Sequence, residues 1–159
     1  MFLSWYFYNK IIVKMGLIYQ KNGNLIPGIH QISWQDLLVE YGYCNHRIEL
    51  LDGFSLASGH LKSCGCRRIF LDGSFVSKKY LPKDYDACWD HQGVDLNKLK
   101  NDFPLFFDFE NERANQKRVY KGELMPAMGI AQVNPIVLYI NFFQLDREDN
   151  QKGIISLSL

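Results

Sequence analysis

The chain has 159 residues, with 18 Lys plus Arg against 17 Asp plus Glu and a formal net charge of +1. That length builds one domain with a real core and leaves little for a second. The charge balance excludes a global field for nucleic acid or a membrane surface, so any basic patch has to be local, and the 47% hydrophobic and 14% aromatic fractions exclude a disordered tail.

At the N-terminus, MFLSWYFYNKIIVKMG is aromatic and apolar, but it has no basic start and Asn9-Lys10 interrupts it, so it makes a poor signal peptide. No apolar run reaches the ~20 residues needed to cross a bilayer. Residues 1–14 read as an upstream extension, with Met1 or Met15 as the start. The expected division is a dispensable extension over 1–22 and a single domain over 23–159.

Leu25 to His30 reads as an extended lead-in with a turn. Ser33 then caps a helix over Trp34–Tyr41, with Trp34, Leu37 and Leu38 on one face and Gly42 at its end. From Asn45 to Ser63, the apolar residues Ile48, Leu51, Leu56 and Leu61 recur at helical spacing, interrupted by Gly53 and Gly59 and closed by Gly65.

Arg67–Asp72 is a short β run ending at Gly73-Ser74, and Asp84–Trp89 is a second one after the loop Lys78 to Lys83. Leu96–Phe107, broken by Pro104, reads as irregular helix and loop. Glu110–Tyr120 is helix-compatible and stops at Gly122. Glu123–Pro126 reads as a short strand, Pro135–Gln144 as a longer one, Asp146–Gln151 as a polar turn and Gly153–Leu159 as a final strand. The expected fold class is α+β, a small mixed sheet flanked by helices.

The chemistry concentrates at Gly73-Ser74 and, nine residues later, at Asp84-Tyr85-Asp86. Residues two apart on a strand share a face, so Asp84 and Asp86 project side by side. Their mutual repulsion is best relieved by a divalent cation, and hard carboxylate oxygens suit Mg²⁺ or Mn²⁺. Gly-Ser or Asp-x-Asp alone carries little information; the two in this order and spacing point to a site.

Leu71-Asp72-Gly73-Ser74 followed by Asp84-Tyr85-Asp86-Ala87 resembles the signature of the DNA polymerase beta-like nucleotidyltransferase superfamily, although Asp72 stands where an apolar residue is usual. The wider string is also similar to small bacterial and phage-associated nucleotidyltransferase-like proteins. Its segments are Pro27-Gly28-Ile29-His30, Gly73-Ser74-Phe75-Val76, Gln116-Lys117, Gly122 to Ala127 and Phe142-Phe143-Gln144.

The resemblance implies a minimal nucleotidyltransferase fold and a nucleoside triphosphate (NTP) as substrate. Gly73 and Ser74 would open a helix holding the β,γ-phosphates. Asp84 and Asp86 would bind metal, and a third carboxylate would complete a two-metal site. Glu123 suits that role best, with Asp108 and Asp95 as alternatives.

Cationic support for the phosphates is expected from Lys117 and Arg113, then from the loop residues Lys78, Lys79 and Lys83. The acceptor would be a hydroxyl of protein or RNA, tRNA included, in the cytoplasm, in the setting of a toxin–antitoxin or phage-defence module. No added helical domain is evident after Gly129, so a cognate partner protein or a homodimer would complete the acceptor surface. The rivals are a catalytically silent binding or antitoxin-like subunit and a metal-dependent nuclease.

The remaining residues have plainer readings. Cys44, Cys64, Cys66 and Cys88 lack zinc spacing and read as reduced, buried thiols. His30 and His46 read as structural, Asp90-His91 as a polar turn, and Phe142-Phe143 as core. Gln144 reads as bonded to a neighbouring loop. Phe103, Phe106, Phe107 and Phe109 could stack a base, but such density more commonly packs a core.

Overall fold

The computed structural model describes residues 16–159, so the expected extension over 1–14 and the alternative start at Met15 lie outside the described residues. The elements run β1 (Gly28–Gln31), α1 (Trp34–Tyr41), α2 (Asn45–Ser63), β2 (Arg68–Asp72), β3 (Tyr85–Trp89), α3 (Leu96–Asp102), α4 (Ala114–Tyr120), β4 (Gly122–Pro126), β5 (Ile130–Gln132), β6 (Val137–Leu138), α5 (Tyr139–Phe142) and β7 (Gly153–Ser158). The architecture is mixed α/β.

One five-stranded sheet has the order β1-β7-β2-β3-β4, and β5 and β6 form a separate two-stranded sheet. Central strand β2 is antiparallel to both neighbours, whereas β1 runs parallel to β7 and β3 parallel to β4.

Strand alternation gives the sheet two faces of different character. Ile69, Leu71, Tyr85, Ala87, Trp89, Leu124, Ile155 and Leu157 point into the main core with Leu37, Tyr41, Leu50, Leu51, Phe54, Ala57 and Leu61 of α1 and α2. On the opposite face Phe70, Cys88, Met125 and Ile154 form a smaller cluster, closed by Ala127 and Phe143 with Tyr139 and Ile140 packed against it. Beyond that cluster the same face carries the acidic residues.

Both early helices begin and end where expected, but the buried stripe of α2 differs from the apolar-only reading. Ile48 and Leu56 are exposed, while Arg47, Leu50, Leu51, Gly53, Phe54, Ala57, Ser58 and Leu61 face inward. Gly53 is required by contact: a Cβ there would collide with the Tyr120 carbonyl at the end of α4. In α1, Leu37 and Tyr41 are buried and Leu38 is exposed.

Three segments are arranged differently from the expected boundaries. Leu17 and Tyr19 pack against the main core, and the Tyr19 hydroxyl donates to Glu40 and lies 2.9 Å from the Tyr41 hydroxyl. The packed fold therefore includes Leu17 and Tyr19, which lie within the segment 1–22. Pro135–Gln144 is not one strand, because only Val137–Leu138 pairs, with β5, before Tyr139–Phe142 turns helical. Glu110–Tyr120 is helical only from Ala114, preceded by three consecutive residues, Asn111, Glu112 and Arg113, at φ +46°, +54° and +58°.

Candidate active site

Pairing register brings the acids together. Asp72, the last residue of β2, lies opposite Asp86 of β3, and Asp86 lies beside Glu123 of β4. Residues paired this way share a face, so three carboxylates form a row across three strands. At about 4.8 Å per strand spacing the row spans roughly 10 Å from end to end. Asp84 immediately precedes β3, two residues from Asp86.

The turn between β2 and Asp86 depends on Gly73. Its backbone, at φ +81° and ψ −168°, occupies a region reserved for glycine. A Cβ would run into Asp86 Oδ2 and come within 3.2 Å of Asp86 Cγ. The residue at this position thus sets how closely the Asp86 carboxylate lies against the chain. Ser74 does not open a full helix as expected: only a single 3₁₀ turn, Ser74–Val76, follows.

Each end of the row is tied to cations. At one end Lys152 donates to Asp72 Oδ1 at 2.6 Å, with both side chains largely buried. At the other, Glu123 Oε2 accepts from Arg113 at 3.0 Å while Oε1 meets Lys117 Nζ at 2.6 Å. Arg113 also donates to the Tyr139 hydroxyl at 3.1 Å and lies over the Phe109 ring.

The middle of the row is less well compensated. Burial first, then the neighbouring charges of Asp72, Glu123 and Asp84, push the Asp86 carboxyl up from 3.8 to about 7. Burial also raises Asp72, against the attraction of Lys152. The contact with Glu123 raises Lys117, with Asp84 contributing. This centre is short of positive charge.

An oxygen-only donor set with a charge deficit at its centre fits a hard divalent cation. Asp84 and Asp86 are the acids of this group left without a cation partner in an ion pair among the described residues, and so are the ones that could take such an ion. Among the described residues no group of three or more His, Cys, Asp or Glu is gathered tightly enough to bind a metal. Glu123, the expected third carboxylate, has both oxygens turned to Arg113 and Lys117. The alternatives are occupied elsewhere: Asp95 caps α3 through the Lys98 amide, and Asp108 accepts from the Glu110 amide and the Asn115 side chain.

Of the expected cations, Arg113 and Lys117 reach the acidic row and Lys78 does not. Its ammonium lies over the Tyr19 ring and 3.8 Å from Glu40. Lys79 and Lys83 are exposed. Two contributors escaped the sequence reading: Asp72 was noted there only as a departure from the usual pattern, and Lys152 not at all.

His30 and His46 bond the Ile26 and Pro82 carbonyls. Cys64, Cys66 and Cys88 are buried and free, and Cys44 is half-buried. Gln144 donates to the Ile140 carbonyl. Phe143 is buried, but Phe142 is exposed. Phe103 stacks on His60 and Phe106 on Tyr120.

The family of unknown function DUF6932 matches residues 17–158, nearly the whole of the described fold. The chain belongs to that family. No curated protein and no solved structure matches it. Among the described residues no helix is long and apolar enough to cross a membrane.

Proposed function

We propose that the chain is a divalent-cation-dependent nucleotidyltransferase of the DNA polymerase beta-like type. It takes an NTP and places its nucleotide on a hydroxyl of a protein or RNA acceptor, with tRNA one such RNA. The observation that carries the reading is the row Asp72–Asp86–Glu123, with Asp84 alongside and the Gly73 bend pressed against Asp86.

In the transfer, a bond forms between the acceptor oxygen and the α-phosphorus, the bond to pyrophosphate breaks, and the hydroxyl proton passes to a site carboxylate. Mg²⁺ or Mn²⁺ held by Asp84 and Asp86 would neutralise phosphate charge as it shifts toward pyrophosphate. Arg113 and Lys117, which pair with Glu123 at the end of the row, would supply positive charge. Gly73 leaves room for backbone and carboxylate to approach closely. A cognate partner or a second copy would extend the acceptor surface, as in a toxin–antitoxin or phage-defence module.

A second reading, a silent nucleotide-binding subunit, is favoured by one specific observation: both oxygens of Glu123 are engaged by Arg113 and Lys117. Incubation of the protein with Mg²⁺, α-labelled NTPs and candidate acceptors separates the two. Label on an acceptor, lost in the Asp84→Ala, Asp86→Ala variant, supports transfer. Nucleotide binding without label supports the silent subunit, and acceptor fragmentation without label supports a nuclease.

A further inference from the structure

Arg113 and Lys117 are doubly placed: they are the cations at the Glu123 end of the acidic row, and they are already spent on that one of its members. Lys117 Nζ sits 2.6 Å from Glu123 Oε1, and Arg113 sits 3.0 Å from Oε2. These groups are only partly buried, with 30%, 22% and 18% of the Lys117, Arg113 and Glu123 side chains exposed, so an entering solute can reach them.

The Arg113 attachment is incomplete on its other side, because Nε is buried with no hydrogen-bond partner among the described residues. The backbone that delivers Arg113 is also strained, three successive non-glycine residues holding left-handed angles. Such conformations are disfavoured for residues with a side chain and persist only while surrounding contacts hold them. Here the side-chain contacts that hold the segment are those to Glu123, Tyr139 and Phe109.

We infer that Glu123 is an internal competitor for the phosphate-binding cations. Its carboxylate occupies Arg113 and Lys117 until a polyphosphate displaces it, and the displacement frees Glu123 toward Asp86. This deepens the nucleotidyl-transfer reading, on which its choice of a polyphosphate ligand rests. An anion with several oxygens can bridge both cations at once and replace the two bonds that the single carboxylate makes. One site thereby discriminates by charge: a monoanion gains little over Glu123, whereas a triphosphate brings more charge than it displaces.

The test uses the full chain in EDTA with inorganic tripolyphosphate as the probe, so no metal and no turnover enter the measurement. Calorimetry on wild type, Glu123→Gln, Lys117→Met and Arg113→Met gives the affinities, with urea unfolding as a check on folding. The isosteric Glu123→Gln removes the competitor, so it should bind tripolyphosphate roughly five- to tenfold more tightly than wild type. Lys117→Met and Arg113→Met should each bind more weakly than wild type, by roughly tenfold.

Glu123→Gln affinity equal to or below wild type overturns the inference, as does an absence of tripolyphosphate binding in every folded variant. If Glu123→Gln binds more tightly while wild type transfers no label from NTPs, the competition stands and the nucleotidyl-transfer reading falls. Label transfer with unchanged Glu123→Gln affinity gives the reverse.

Discussion

Asp86→Asn should make the fold more stable, and only above mildly acidic pH. The carboxyl titrates at about 7 in the fold, because burial and three neighbouring carboxylates disfavour its charge, against 3.8 ordinarily. Well below 3.8 it is protonated in both folded and unfolded chains and costs nothing. As pH rises toward 7 the unfolded chain ionises first, so stability falls; above 7 the loss levels off. Over that span the difference amounts to about 4 kcal/mol. The amide removes the charge but still has to find hydrogen-bond partners in a half-buried place, so the net gain at pH 8 should be about 2–3 kcal/mol. Urea unfolding of wild type and variant from pH 4 to 8.5 measures it. The expected result is a variant about 1–2 kcal/mol less stable than wild type near pH 4, where only the cost of the amide remains, with the curves crossing and the variant gaining as pH rises. Curves that stay parallel, or a variant less stable at pH 8, would refute the charge-deficit argument. Mg²⁺ at pH 8 should narrow the gap by stabilising wild type alone.

Gly73→Ala should cost about 1–3 kcal/mol for forcing a side chain into a glycine-only conformation, and should also displace the Asp86 carboxylate; thermal unfolding measures the first and loss of label transfer the second. Lys152→Met strands Asp72 in a buried place, so stability measured by urea unfolding should drop by about 3 kcal/mol at pH 8. The drop should shrink as pH falls and the raised Asp72 carboxyl takes up a proton, and Asp72→Asn in the same chain should restore most of it. Arg47→Met removes donors to the Phe75, Lys79 and Tyr80 carbonyls. Amide exchange over residues 75–83, the loop joining Ser74 to Asp84, should accelerate, while α2 keeps its protection.

Much of this site was legible because its information is local. A glycine at a strand end and two acids one residue apart need only strand alternation to converge, and Glu123 was reachable as the first acid of the next strand. Asp72 and Lys152 were hidden for a different reason. Their contact spans 80 residues and depends on β7 pairing antiparallel with β2, a register that no local pattern states. Lys78 shows the converse: it is close in sequence to Ser74, but the loop turns it toward Tyr19 and Glu40.

Composition misled in two places. Pro135–Gln144 is rich in β-formers, but two residues suffice to pair with the short β5 before the chain turns to lay Tyr139 and Phe143 over the sheet. In α2 the apolar count passed over Arg47, which is fully buried with its guanidinium bonded to three backbone carbonyls and packed against Tyr43 and Phe75. Hydrogen bonding, not hydropathy, places it inside.

A Mn²⁺ titration followed by electron paramagnetic resonance, with a non-hydrolysable NTP present, bears most directly on whether these acids form a metal–nucleotide centre. Wild type should take up the ion saturably, and the Asp84→Asn, Asp86→Asn chain, folded by circular dichroism, should not. Equal uptake by both chains, or none by wild type, would contradict the account.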